Sequence, residues 1–368
     1  MEIELSQNET AHNRTQKADG ENDVKELVST SFAAMGNGRS FNALLKGVQV
    51  LSAAPPTIFA RLTVADEHTN DAGIMHTGFA AAMADVLTAA TVRITAAQQT
   101  PVVSVDLTTA IVQPARIGDI LLMEANCLQA DRSIAFTEAI FRRKSDGQLI
   151  VKASQQLAIL HYLPLKTKGK GGDGNDAKKG PTDCEQQQQQ NGLTEADRTN
   201  GGQQRSGADG GTTDEAANLD RAEKLLTRRG NAKNFNRMGE NLRVTRAEPL
   251  VLEAEIELGS KHLNEGGTMH GGFVATLVDI VSCCAVELTA PNSSLTSLFV
   301  SISYLLPAKI GERIVIKSEC LKVGRSITFT ETTISRKRDG AVLAKGKHNI
   351  SMARNSDGTH QRGKEGNN

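Results

Sequence analysis

The sequence predicts an α+β protein made of one domain used twice, each copy an antiparallel sheet wrapped around a single buried helix. Three observations predict it. From Gly271 to Val286 the chain is apolar or small, with Asp279 as its only charge. Strand-like segments joined by short turns follow. The whole arrangement then proves to occur twice. Asn70, His76 and Asp85 stand 194 residues before Asn264, His270 and Asp279. Ser104, Pro114 and Arg132-Ser133-Ile134 stand 193 residues before Ser297, Pro307 and Arg325-Ser326-Ile327. Agreement over so long a stretch marks a duplicated domain rather than a short solenoid repeat.

The helix comes first because it carries the chemistry. A helix that is apolar on nearly all sides has to be buried. A lone aspartate inside it is costly unless it has partners or a task. Ahead of it runs Asn264-Glu265-Gly266-Gly267-Thr268-Met269-His270-Gly271-Gly272. Its glycines permit close approach of another group. They also leave the first helix amides unpaired, at the positive end of the helix dipole. An exposed helix start and a buried carboxylate together point to a site. The plainer reading satisfies the carboxylate with local hydroxyls of Ser282 or Thr276. Two such aspartates at equivalent positions favour function.

Strands follow. Leu252–Leu258 alternates strictly, as a strand with one wet face does. Residues Ser294–Leu306, Arg313–Leu321, Ile327–Arg336 and Val342–Ile350 read as four more strands, the last two joined by a tight turn at Asp339-Gly340. The first copy has Asp146-Gly147 in the same place. Val24–Met35 reads as a short helix leading into that copy. The expected organisation is a disordered stretch 1–26, a first domain 27–163, a flexible linker 164–220 containing Gln186–Gln190, a second domain 221–354 and a polar tail 355–368.

Composition sets the outer limits. A chain of 368 residues suits two domains. Lys plus Arg and Asp plus Glu both number 42, so no bulk field favours nucleic acid or an anionic membrane. No unbroken, uncharged apolar run is long enough to cross a bilayer. The acidic start lacks a signal-peptide core and is poor as a transit peptide. The expectation is a cytoplasmic protein, with a mitochondrial location left open. Five cysteines suit a reducing compartment, Cys127 and Cys320 reading as small core residues. With neither Cys-x-x-Cys nor His-x-x-x-His spacing, no metal site and no cofactor is expected.

These motifs carry a resemblance. Asn-x-x-Gly-x-x-His-Gly-Gly, an aspartate nine residues after the histidine, and a serine ten residues before Pro-Ala-(Lys/Arg)-Ile-Gly resemble the hotdog-fold acyl-CoA thioesterases. The phenylacetate-pathway branch, which includes the animal thioesterase superfamily members, is the most similar. Leu51-Ser52-Ala53-Ala54-Pro55 and Glu67-His68-Thr69-Asn70 resemble the animal members in particular. The resemblance covers both copies and leaves out the linker and the ends.

It implies two hotdog domains paired within one chain, with further homodimerisation left open, and an active site at each end of their interface. Asn264, His270 and Gly271 would hold the thioester carbonyl while Asp85 and Ser104 of the other domain activate the water. Asn70, His76 and Thr77 would pair with Asp279 and Ser297 in the second site. Arg132 and Arg325 are weak candidates for coenzyme A phosphates. Geometry supports a shared site independently. Nine residues of helix span about 13 Å, whereas water and thioester must meet within about 3.5 Å. Thr77 departs from the family's first glycine and narrows the approach, so the Gly271 site is favoured. The implied activity is hydrolysis of acyl-CoA without a metal or redox cofactor. A non-catalytic acyl-CoA sensor is the alternative, and a hotdog dehydratase a third reading.

Overall fold

The computed structural model describes residues 22–96, 101–160, 211–291 and 293–354. The first repeat opens with helix α1 (22–36) and a 3₁₀ turn at Phe41–Leu45. It continues through β1 (Gln49–Ala54), β2 (Thr57–Thr63), helix α2 (Thr77–Thr95), β3 (Val102–Ile111), β4 (Ile120–Ala130), β5 (Ile134–Arg143) and β6 (Leu149–Ile159). The second repeats the order: α3 (Gly211–Gly230), a 3₁₀ turn at Phe235–Gly239, β7 (Arg243–Glu248), β8 (Val251–Glu257), α4 (Gly271–Thr289), β9 (Ser293–Tyr304), β10 (Arg313–Val323), β11 (Ile327–Arg336) and β12 (Val342–Arg354).

All twelve strands form one antiparallel sheet in the order β1-β2-β4-β5-β6-β3-β9-β12-β11-β10-β8-β7. Its two halves are mirror sequences of each other about the β3–β9 seam. There Asp106 lies opposite Ser303 and Ala110 opposite Phe299. The central pair is Thr108 and Ser301, equivalent residues whose hydroxyls meet at 3.3 Å. The repeats are thus related by a local two-fold, and the intramolecular pairing anticipated for two hotdog domains is present.

Helices α2 and α4 lie against the sheet and cross each other. The crossing is close because glycines stand in it. A methyl on Gly78 would come within 2.8 Å of the Thr276 Cα, and one on Gly272 within 2.5 Å of the Ala82 Cβ. Both helices are long and apolar enough to span a bilayer by length and composition, yet 78% of each apolar window is buried inside the fold. Phe79, Met83 and Leu87 of α2 and Phe273, Leu277 and Val281 of α4 are fully buried. Their burial, at about 1.5–3 kcal/mol per large side chain, is what holds helix to sheet.

Several expectations shift. Among the described residues each repeat has six strands rather than five. The extra ones, β1 and β7, are short edge strands; β7 carries Arg243, Arg246 and Glu248 and gives little apolar signal. The expected linker 164–220 ends early, because α3 begins at Gly211. Asp214 lies in the first turn of α3, where a negative charge suits the helix dipole, and the Ala and Leu residues after it suit a helix interior. Likewise α1 begins at residue 22, inside the stretch 1–26 expected to be disordered. The wet face foreseen for β8 is partly covered: Glu255 is buried and pairs with Arg243 and Lys337. The turns at Asp146-Gly147 and Asp339-Gly340 hold as expected, with glycine φ of 70° and 71°. Cys127 and Cys320 are buried on their strands, while Cys184 and Gln186–Gln190 lie outside the described residues.

Candidate active sites at the helix crossing

The start of each long helix receives the aspartate of the other. At the Gly271 end, a Cβ placed on Gly271 would stand 3.0 Å from Asp85 Oδ2 and 3.2 Å from Ser104 Oγ. The Gly272 amide donates to Asp85 Oδ2 at 3.1 Å and to His270 Nδ1 at 2.9 Å. On the far oxygen, Ser104 Oγ donates to Asp85 Oδ1 at 2.6 Å, and Gln155 Nε2 donates to the same atom. Gln155 Nε2 also reaches Ser104 Oγ at 2.9 Å. Three donors from three elements therefore fix a carboxylate that is almost wholly buried. Neither Ser282 nor Thr276 satisfies Asp279: their hydroxyls bond to backbone carbonyls, and Ser282 also to His348.

His270 is the N-cap of α4, and its Nδ1 accepts the Gly272 N–H. Its proton therefore sits on Nε2, which donates to Asn42 Oδ1 at 2.8 Å. Asp85 Oδ2 lies 3.4 Å from Nδ1. This is no ion pair, because burial lowers the His270 pKa despite the nearby carboxylate, and the ring is neutral at neutral pH. Asn42 belongs to the other repeat's lead-in, and its neighbour Phe41 packs on His270 and Phe273 with centroids 5.0 and 5.6 Å away. The lead-in is locked in place by the Phe41 amide, which donates to the Leu263 carbonyl at 3.0 Å.

The Thr77 end repeats this with changes. Ser297 Oγ donates to Asp279 Oδ1 at 2.8 Å, and Asp279 Oδ2 lies 3.2 Å from His76 Nδ1. The Gly78 amide donates to that same Nδ1 at 3.0 Å, so His76 is also a neutral cap whose pKa burial lowers. Its Nε2 meets Asn236 Oδ1 at 3.1 Å, the equivalent of Asn42. Asn234 and Asn236 both donate to Asp71 Oδ1, at 2.8 and 2.9 Å. Burial would raise the Asp71 pKa, but these two bonds together with the charges of Arg229 and Arg228 lower it. Where the first repeat has Gln155, the second has His348, fully buried, with Nε2 3.3 Å from Asp279 Oδ1.

A cavity of 370 Å³ opens at the Thr77 end. Asn70, His76, Thr77, Asp279 and Ser297 line it, with Arg228 and Arg229 at its side. Sequence reasoning favoured the other end because Thr77 adds a side chain. In the structure Thr77 is buried and still leaves this space. At the Gly271 end stands Tyr304, in place of the cavity-lining Ile111. Its hydroxyl donates to the Gly271 carbonyl at 3.1 Å.

Not every anticipated residue reaches the reacting groups. Asn70 Oδ1 accepts the Ala72 and Ile74 amides, and Asn264 Oδ1 accepts the Thr268 amide. Both asparagines thus brace their own loops, and Asn70 also borders the cavity. Arg132 and Arg325 are exposed in the β4–β5 and β10–β11 connections and are not among the cavity's lining residues. Asn42, Asn236, Gln155 and His348 were not anticipated. The repeated pair Phe41-Asn42 and Phe235-Asn236, 194 residues apart, was the available signal for the first two.

Comparison with known proteins finds the same family in both repeats. The profile of the thioesterase superfamily matches residues 72–150 and 266–343. A Caenorhabditis elegans protein whose name marks it as a candidate esterase is 36% identical over 135 residues, 37% of this chain and 80% of its own. Mouse acyl-coenzyme A thioesterase 13 is 38% identical over 114 residues, 31% of this chain and 81% of its own. Among solved structures, the tesB protein of Mycobacterium avium subs paratuberculosis gives a TM-score of 0.52 over 85% of this chain and 100% of its own. At 10% identity that is a likeness of fold alone.

Proposed function

The chain belongs to the thioesterase superfamily and is a thioester hydrolase, and from that premise we propose that it hydrolyses acyl-CoA at two composite sites. One observation carries the proposal: each buried aspartate lies against the first turn of the other repeat's helix, Asp85 Oδ2 standing 3.0 Å from the Cβ position of Gly271.

In the first site the thioester oxygen lies at the start of α4. The Gly271 amide, first of the helix, has no carbonyl one turn behind it within the helix. Charge that builds on the oxygen during attack is stabilised by that amide and the helix dipole, at about 3 kcal/mol for one such donor. Asp85, oriented by Ser104 and Gln155, takes a proton as water oxygen bonds to the carbonyl carbon. The tetrahedral intermediate then collapses, the C–S bond breaks, and the coenzyme A thiolate leaves and is protonated. His270 stays neutral and holds the turn. Asp279, Ser297 and the Thr77 amide take these roles in the second site, with His76 as the cap. Arg228 at the cavity side, only loosely engaged by Glu287 at 3.4 Å, is placed for a phosphate of coenzyme A.

Thiol release from a panel of acyl-CoAs of graded chain length tests the activity. Asp85→Asn keeps the volume and removes the base, so the first site should lose at least about 10²-fold in turnover with its melting transition intact. Failure to hydrolyse any acyl-CoA would overturn the substrate assignment.

A further inference from the structure

The geometry points to a metal site of the zinc type, made by Asp279, Cys283 and His348 and present in the second repeat alone. The ligating atoms of these three residues lie within 4.8 Å of one another. A tetrahedral zinc holds its ligands at about 2.0–2.3 Å, so nitrogen, oxygen and sulfur must gather within about 4 Å of each other. Asp279 Oδ1 and His348 Nε2 already stand 3.3 Å apart. Asp279 and Cys283 are one helical turn apart on α4, on the same face. Only a small movement of the Cys283 side chain completes the triad.

His348 supplies the independent observation. Its ring is fully buried, and Nε2 has no hydrogen-bond partner among the described residues. The other nitrogen, Nδ1, meets Ser282 Oγ at 2.7 Å. The Ser282 hydroxyl donates to the Asp279 backbone carbonyl at 3.3 Å, so its oxygen is free to accept an Nδ1–H. In that tautomer the bare Nε2 lone pair faces a carboxylate oxygen, and a cation between them resolves the repulsion. A backing hydrogen bond on the far nitrogen is also what orients a metal-bound histidine.

Charge favours the same occupant. A carboxylate and a thiolate offset a divalent cation, and Arg229, the cation facing Cys283, is held by Glu287 at 2.8 Å. Cys283 ligates as the thiolate, so metal entry releases its thiol proton to solvent. Asp279 and Cys283 both line the 370 Å³ cavity, which provides the entry path and the fourth coordination position.

The first repeat serves as an internal control. It has Asp85, Ala89 and Gln155 at these positions, only one of which ligates zinc. Metal would therefore occupy the aspartate of one site and leave the other alone. Under the hydrolytic reading above, saturating zinc silences the Asp279 site and spares the Asp85 site.

Cobalt binding tests the site without reference to turnover. Titration of the full chain with Co²⁺ should give one equivalent bound with a thiolate-to-metal charge-transfer band, displaced by Zn²⁺. Cys283→Ala and His348→Gln each import the residue the first repeat carries, and each should abolish that band while circular dichroism stays unchanged. The pair Ala89→Cys with Gln155→His should add a second equivalent. A band that survives Cys283→Ala, or no cobalt bound at millimolar concentration, overturns the proposal. Because the readout is spectroscopic, a failure of the hydrolytic reading would leave this test standing.

Discussion

Gly272→Ala tests the helix crossing on which both sites are built. The added methyl would sit 2.5 Å from Ala82 Cβ and 2.7 Å from Ala82 Cα. Carbon atoms pack at about 3.5–4.0 Å, so α2 and α4 must separate by roughly 1 Å. Ala82 has no side-chain torsion that could move it aside. Overpacking of this kind costs about 1–3 kcal/mol. The same movement stretches the Gly272 amide bond to Asp85 Oδ2 from 3.1 Å to beyond hydrogen-bond reach. Urea denaturation should show the loss of stability, and thiol release should show a larger loss at the Asp85 site than at the Asp279 site. Gly259→Ala is the reference: its Cβ position is open, and its φ of −105° suits alanine. It should stay within about 0.5 kcal/mol of the parent. If Gly272→Ala melted and turned over like Gly259→Ala, the close crossing described above would be wrong.

Two further outcomes follow from the caps. Asn42→Ala leaves the buried Nε2–H of His270 unpaired, which should cost about 1–3 kcal/mol. It should impair the Gly271 site although Asn42 lies in the other repeat; Asn236→Ala should do the same to the Thr77 site, and thiol release in each variant checks both. Stability should also fall with acid. His262 is buried and its pKa is lowered to about 4, by burial first and by Lys261 second. The unfolded chain binds this proton near pH 6.5, before the native state does. The stabilisation is thus complete above about pH 6.5 and lost as pH falls towards 4, by up to about 3 kcal/mol. Urea denaturation at neutral and acid pH should show the loss, and His262→Gln should lessen it, the remainder coming from buried histidines such as His76 and His270; a loss unchanged in His262→Gln would refute the assignment.

Much of this was legible in the sequence because it recurs. Asp85 and Asp279 stood out as lone charges on apolar helices, and Ser104 and Ser297 matched at the repeat spacing. The helix geometry alone indicated that neither helix could hold both halves of a site. What escaped depends on long-range register. Gln155 and His348 reach the aspartates only because β6 and β12 lie beside β3 and β9 in the sheet, which no local pattern encodes. Asn42 and Asn236 act across the repeats, through lead-ins that dock on the opposite domain. Helix α3 has a polar composition and follows a stretch without apolar periodicity, so the sequence does not mark it as a helix and its first turns fall in the expected linker. The preference for the Gly271 end rested on one side chain, Thr77. Tyr304 in place of Ile111 weighs against that preference, and its contact with Gly271 required the fold to be seen.

The composite origin of the sites is the central claim, and a pair of double mutants tests it most directly. Asp85→Asn with His270→Gln strikes one composite site twice and leaves the other whole. Asp279→Asn with His270→Gln strikes both sites once. The two doubles remove the same kinds of group, so stability losses are matched, and effects inside one catalytic unit are strongly non-additive. Thiol release from a long-chain acyl-CoA, with the Asp85→Asn and Asp279→Asn single variants giving each site's share, is the measurement. The account predicts that the first double retains the full share of the Asp279 site and that the second loses nearly all turnover. The reverse ranking, with Asp279→Asn plus His270→Gln the more active, would place each site within a single repeat and contradict it.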